Sequence, residues 1–190
     1  MIIGFRDQKE HLDRYLELHK GKSVAVYKRD ELVPKNTSIE FPFNWSLREF
    51  AESSFFDYSI FPSSILVGYG EWRKHSRNMQ VGDTIVQQAY LPPGVIVSQK
   101  LIFGVRVNKV WKTEDEFGFG YEALEGHPEL GESLFIVKCQ GEKCIFTIST
   151  VSVPGNLISK MVAPFLTLPY QAFCTRKALE FVRNSFSNIS

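Results

Sequence analysis

The sequence predicts an α+β fold of the helix-grip type, with a curved antiparallel sheet of about six to seven strands wrapped on a long C-terminal helix. Three observations carry this. Strand-like alternation repeats from residue 65 to 153 with short turns between, and a further strand-like stretch lies at 37–41. A helical pattern then runs to about Phe186. Consecutive strands joined by short turns favour a meander, whose open apolar face the last helix is long enough to cover.

The elements follow in order. Asp7-x-x-Glu10 reads as a capping box, with Leu12, Tyr15 and Leu16 at helical spacing and Gly21 as the stop. This gives a helix over 7–20. Residues 23–27 are short and β-prone, and 30–36 form a polar connector containing Pro34. Residues 1–36 are therefore an N-terminal helical extension packed on the domain, and 37–190 are the helix-grip domain. Thr37–Phe41 is a strand stopped by Pro42. Ser46-x-x-Glu49 reads as a second capping box, opening a helix through Phe56. Strands follow at Ile65–Trp72 and Thr84–Tyr90.

The longest strand spans Ser98–Lys112. Its alternation places Leu101, Phe103, Val105, Val107 and Trp111 on one face and Gly104, Arg106, Asn108 and Lys112 on the other, as in a sheet with one wet face. Phe117–Leu124 is the next strand, with Phe117, Phe119, Tyr121 and Ala123 together. Its aromatic face is expected to meet the C-terminal helix. Gly118 and Gly120 alternate with these, which signals a bend or a close approach. Residues 125–131 are a turn, and Glu132–Cys139 with Cys144–Val153 form a last hairpin. The helical region after Pro154 contains Pro164 and Pro169, which predict a break near 164–169.

Composition narrows the function. The chain has 190 residues, enough to bury roughly 70% of its extended surface. Its net charge is +1 without a basic patch, so nucleic acid is not an expected partner. No apolar run reaches the ~18 residues of a membrane span. The N-terminus turns charged early, without a signal-peptide apolar region, so the expected location is cytoplasmic. The cysteines Cys139, Cys144 and Cys174 are read as free thiols in a reducing cell, the first two flanking a hairpin loop and able to face each other. Sixteen phenylalanines fit a thick core or an apolar cavity.

At Phe117–Phe135 the sequence resembles the uncharacterised domain-of-unknown-function family nineteen-ninety. The residues that carry the likeness are Gly118-Phe-Gly-Tyr121, Leu124, Gly126-His-Pro128, Gly131-Glu132 and Phe135. Ser152-x-Pro154-Gly155 is similar to the family's Ser-Arg-Pro-Gly, with Val153 in place of the arginine. Pro164 and Gln171 through Leu179 resemble its C-terminal helix, so the likeness covers about residues 97–186. It implies a helix-grip fold similar to the birch-pollen-allergen, START-like and lipid-transfer folds, many of which hold apolar ligands between sheet and helix. It implies no settled activity, and fold alone does not give function.

The site candidates each have two readings. His127 can act as general acid or base with Glu129 or Glu132 orienting it, or its ring can bond the backbone and fix the turn. Glu132 can be a buried carboxylate meeting Arg106 or His127, or a solvated strand end. Phe103, Val105, Trp111, Phe117, Phe119, Tyr121 and Phe135 can line a ligand cavity or fill a core. Ser133 and Cys139 make weak nucleophile candidates. Pro128 and two glycines argue against His127, Glu129 and Glu132 converging on a metal, so no metal is expected. Gly68-x-Gly70 lacks the setting of a phosphate loop, and no cofactor is expected. The favoured expectation is a module for a small apolar or amphipathic ligand. The alternatives are a structural or homodimeric interaction protein, its contact made by the first 36 residues, and a hydrolase- or isomerase-like enzyme using His127 and Glu132.

Overall fold

Among the described residues eight strands form a single sheet in which every pairing is antiparallel, built on β1 (Ile2–Gly4), β2 (Lys35–Pro42), β3 (Leu66–Gly70), β4 (Thr84–Leu91), β5 (Gln99–Lys112), β6 (Glu116–Ala123), β7 (Glu129–Gln140) and β8 (Lys143–Pro154). Among the described residues four α-helices accompany it: α1 (Leu12–Lys20), α2 (Arg48–Phe56), α3 (Glu71–Lys74) and α4 (Leu168–Ser187). This computed structural model describes residues 1–28, 34–92, 98–154 and 168–187. The strand order is β2-β8-β7-β6-β5-β4-β3, with β1 beside β5. The sheet is open, and with its C-terminal helix it has the helix-grip arrangement expected from the alternation.

The inner face of the sheet carries the main core. Val105, Val107, Phe117, Phe119, Phe135, Val137, Phe146 and Ile148 are buried there. From α4, Ala178, Leu179, Val182 and Phe186 join the same core. The aromatic row of β6 meets a different partner from the one expected. Phe117 and Phe119 pack edge-on against Phe55 of α2, each at 5.1 Å between ring centres. Topology explains this. β2 and β3 lie at opposite edges of the sheet, so the chain between them must cross from one edge to the other, and α2 lies on that crossing.

The face assignment in β5 needs a correction. Val107 pairs with Tyr121 but Lys109 pairs with Gly120, a bulge that reverses the alternation beyond it. Trp111 therefore leaves the face of Phe103 and Val105. It pairs with Gly118 on the outer side, where its Nε1 donates to Glu116 Oε1 at 2.8 Å. The missing side chain of Gly118 makes room for the indole.

The N-terminal residues contribute a strand as well as a helix. β1 pairs Ile2 with Ile102, along the part of β5 that extends past the end of β6. On the outer face, Leu12 and Leu16 of α1 pack with Val86 and Ile102. Asp7 does not form the expected capping box. A 3-10 turn at Lys9–His11 precedes α1, and the Asp7 carboxylate accepts from Lys9 N, Gln88 Nε2 and Tyr90 OH. Likewise a 3-10 turn precedes α2, and Asn44 rather than Ser46 caps it, accepting from Ser46 N at 3.1 Å.

Cys139 and Cys144, expected as free thiols, form a disulfide in this structure. They are directly opposed in the β7–β8 register, with Cα atoms 4.0 Å apart. Cys174 is free. Pro169 is the second residue of α4, where the first turn tolerates it. Pro164 lies outside the described residues. Among the described residues no helix is long and apolar enough to cross a membrane.

Candidate functional site

Beyond the reach of α2, the inner face changes from phenylalanine to polar side chains. Counting back in twos from Phe135, β7 presents Ser133, Gly131 and Glu129 to the same side. β8 presents Thr150 and Ser152 opposite them. Ser133 Oγ and Thr150 Oγ1 lie 3.2 Å apart. The Tyr121 hydroxyl hydrogen-bonds with Tyr58, Gln87 and Ser133. Gln87 Nε2 also donates to Tyr58 OH at 2.6 Å. Burial raises the pKa of both tyrosines, so both stay protonated at neutral pH. Tyr58 adopts φ 62°, a left-handed conformation that lets its ring cover Gly68.

Glu129 lies at the α4 end of this polar row. Its carboxyl hydrogen-bonds with Ser152, and Gln171 Nε2 of α4 donates to the Ser152 hydroxyl at 3.4 Å. Burial pushes the Glu129 pKa up to about 7, against the weaker opposing effects of Ser152 and of the charge on Lys35. Among the described residues no cationic side chain forms an ion pair with it. Cys174 sits nearby, hydrogen-bonded with Tyr170, and burial pushes its thiol up to about 11, so it is not an activated nucleophile. Tyr170 OH donates to the backbone oxygen of Tyr90 at 2.9 Å, tying α4 to β4.

His127 occupies the turn before β7. Gly126 supplies the φ of +81° that the turn requires. The imidazole Nδ1 lies 2.5 Å from Glu129 O and 3.0 Å from Glu129 N, so the ring is held by main chain. Its other contact is Phe103, edge-on at 4.5 Å. Burial lowers the His127 pKa to about 4, so the ring is neutral at neutral pH.

Glu132 faces the other way. It is 5% exposed and lies opposite Glu122 in the β6–β7 register. Asn108 Nδ2 donates to its Oε1 at 2.9 Å, and Lys109 Nζ is 3.1 Å from the same oxygen. Arg106 reaches the backbone oxygens of Gly82, Lys20 and Lys22 instead. The structure thus places His127 and Glu132 on different sides of the sheet. Of the apolar candidates, Phe117, Phe119 and Phe135 are in the packed ring cluster. Val105 is buried beside them. Phe103 and Tyr121 border the polar row, and Trp111 is on the outer face. Among the described residues no group of His, Cys, Asp and Glu is arranged to hold a metal ion.

Tyr58, Gln87, Ser152, Tyr170 and the inward orientation of Glu129 were not among the expected site features. Glu129 had a readable signal, its parity with Phe135. The others come from four separate elements or connections, and nothing in the sequence announces that they meet.

Solved structures similar to this chain include a hypothetical protein of Helicobacter pylori, with TM-score 0.54, 9% identity, and coverage of 87% of this chain and 96% of that one. A protein from Arthrobacter aurescens is similar with TM-score 0.52, 15% identity, and coverage of 88% and 93%. The human StarD13 lipid transfer and protein localization domain aligns with TM-score 0.48, 11% identity, and coverage of 98% and 100%. At such identities the likeness concerns the fold alone. No curated protein matches the chain. The family described as Domain of unknown function (DUF1990) matches residues 49–180, reaching further upstream than the residue likeness alone and taking in α2. With well over half of its length matched, the chain belongs to the DUF1990 family.

Proposed function

We propose that this protein is a binding module that holds a small amphipathic molecule against the inner face of the sheet, beside the first turns of α4. The observation that carries the reading is the polar row itself. A sheet-to-helix interior that only had to be filled would be served by apolar side chains, because each buried polar group costs free energy unless it is hydrogen-bonded. Here Tyr58, Gln87, Tyr121, Ser133, Glu129 and Ser152 follow one another directly beyond a phenylalanine cluster. An apolar body would lie toward Phe103 and Tyr121, at the rim of the packed cluster of Phe117, Phe119 and Phe135. The polar end would meet the row. Trp111 is not part of this lining. His127 serves to hold the turn that aims Glu129, and with Glu132 on the far side the two form no catalytic pair in this reading. A cytoplasmic location belongs to the same proposal.

Native mass spectrometry of protein purified from its own host tests it. The expected spectrum has an adduct of small-molecule mass that is lost on denaturation. The same spectrum reports whether the protein is a monomer or a homodimer. A bare protein mass, together with no uptake of an apolar fluorescent probe, would overturn the proposal in favour of a filled core.

A further inference from the structure

We propose that the head group accepted at this site is a protonated amine, held by the Glu129 carboxyl among the surrounding aromatic rings. The inference rests on the reading of the site as a ligand-binding space and adds the chemistry of what enters it.

The argument begins with the charged groups around Glu129. On β7 itself the carboxyl follows the His127 ring, which is neutral and held by the main chain. β8 contributes the hydroxyl of Ser152. From α4 come Gln171, Tyr170 and the Cys174 thiol. β6 contributes Tyr121, whose hydroxyl feels the Glu129 charge. Lys35, at the start of β2, is close enough to favour the ionised carboxyl but forms no ion pair with it among the described residues. On α4, Lys177 is already paired with Glu180 at 2.7 Å. The surroundings are thus one carboxyl, several hydroxyls and a thiol, with no contacting cation.

Such a site disfavours an anion, which would face the carboxyl. It favours a cation twice over. A charge-assisted hydrogen bond to a carboxylate is roughly twice as strong as a neutral one, and the aromatic rings of Tyr121, Tyr170 and Phe103 nearby add an environment that attracts positive charge. The upward pKa shift of Glu129 agrees with a carboxyl built to ionise when a cation arrives.

Isothermal titration calorimetry with decylamine, decanol and decanoate at pH 7 tests the inference, because the three share one apolar body. The expected result is decylamine binding at least about tenfold tighter than decanol, a difference of ~1.4 kcal/mol. Glu129→Gln is expected to abolish the preference, bringing decylamine and decanol to within about twofold of each other. Should that variant fail to fold, the wild-type amine-to-alcohol affinity ratio replaces it, and it is expected to rise from pH 5.5 to pH 8. Decanoate binding as tightly as decylamine overturns the inference, as does a preference unchanged by the variant and by pH. If none of the three binds, the binding-module reading itself has failed.

Discussion

Trp111 covers Gly118 on the outer face of the sheet, across the β5–β6 register. A Cβ on Gly118 would run into the indole and would come within 2.7 Å of the Phe135 backbone oxygen. Gly118→Ala is therefore expected to destabilise the fold by about 1–3 kcal/mol. Urea unfolding followed by tryptophan fluorescence measures this. Adding Trp111→Ala should restore only part of the loss, because the carbonyl contact is backbone and cannot give way.

Phe55 joins α2 to the sheet. Its ring is fully buried and meets Phe117, Phe119 and Phe146. Phe55→Ala should cost about 3–5 kcal/mol, the range for an aromatic cavity in a well-packed core. Chemical denaturation should show this as a lower midpoint. A loss below 1 kcal/mol would mean that α2 is not an essential cover for the aromatic row.

Asp7 ties the N-terminal segment to β4. Its carboxylate receives the Gln88 amide and the Tyr90 hydroxyl. Asp7→Ala leaves those donors to pair with each other alone, at an expected cost of about 1–3 kcal/mol. Hydrogen exchange should locate the loosening in β1 and α1, with β7 and β8 unaffected.

Two buried groups should give opposite pH dependences. Glu129 has its pKa raised from 4.5 to about 7, so the folded state holds a proton that the unfolded state has lost. Its contribution to stability therefore falls as pH rises from about 4.5 to 7, by on the order of 3 kcal/mol. His127 has its pKa lowered from 6.5 to about 4, so the unfolded state takes up a proton first on acidification. Its contribution falls as pH drops from 6.5 to 4. In the wild type the two slopes oppose each other between about pH 4.5 and 6.5. Glu129→Gln should unmask stability that rises with pH in that window, and His127→Asn should unmask stability that falls. Equal slopes in both variants would contradict the buried placement of these groups.

The strands were legible because each needs only its own residues. β4 through β8 appear as alternation of period two, bounded by charged or glycine-containing turns. What was not legible depends on more than one segment. The bulge in β5 is a mismatch between that strand and β6, so the outward turn of Trp111 cannot be read from residues 98–112 alone. β1 is too short to show a period and is defined by its partner. The cover over Phe117 and Phe119 follows from which sheet edges the chain must connect. Within the site, Glu129 was readable by parity from Phe135, whereas Tyr58, Gln87 and Tyr170 meet only in the folded chain.

One further consequence concerns the order in which the chain is made. β2 is an edge strand whose sheet neighbour is β8, with Lys35 opposite Thr150 and Pro42 opposite Lys143. During translation β2 therefore leaves the ribosome long before its partner exists. Until β8 emerges, the hydrogen-bonding edges of β2 have nothing native to join, and such exposed edges invite association with other chains. The exposed Lys35, Asn36 and Glu40 on β2, together with its terminal Pro42, are residues that discourage such pairing. Completion of the sheet, and with it the seat for α4, must wait for β8. A ribosome-bound chain halted before β8 should therefore lack the Thr150 and Ser152 side of the polar row.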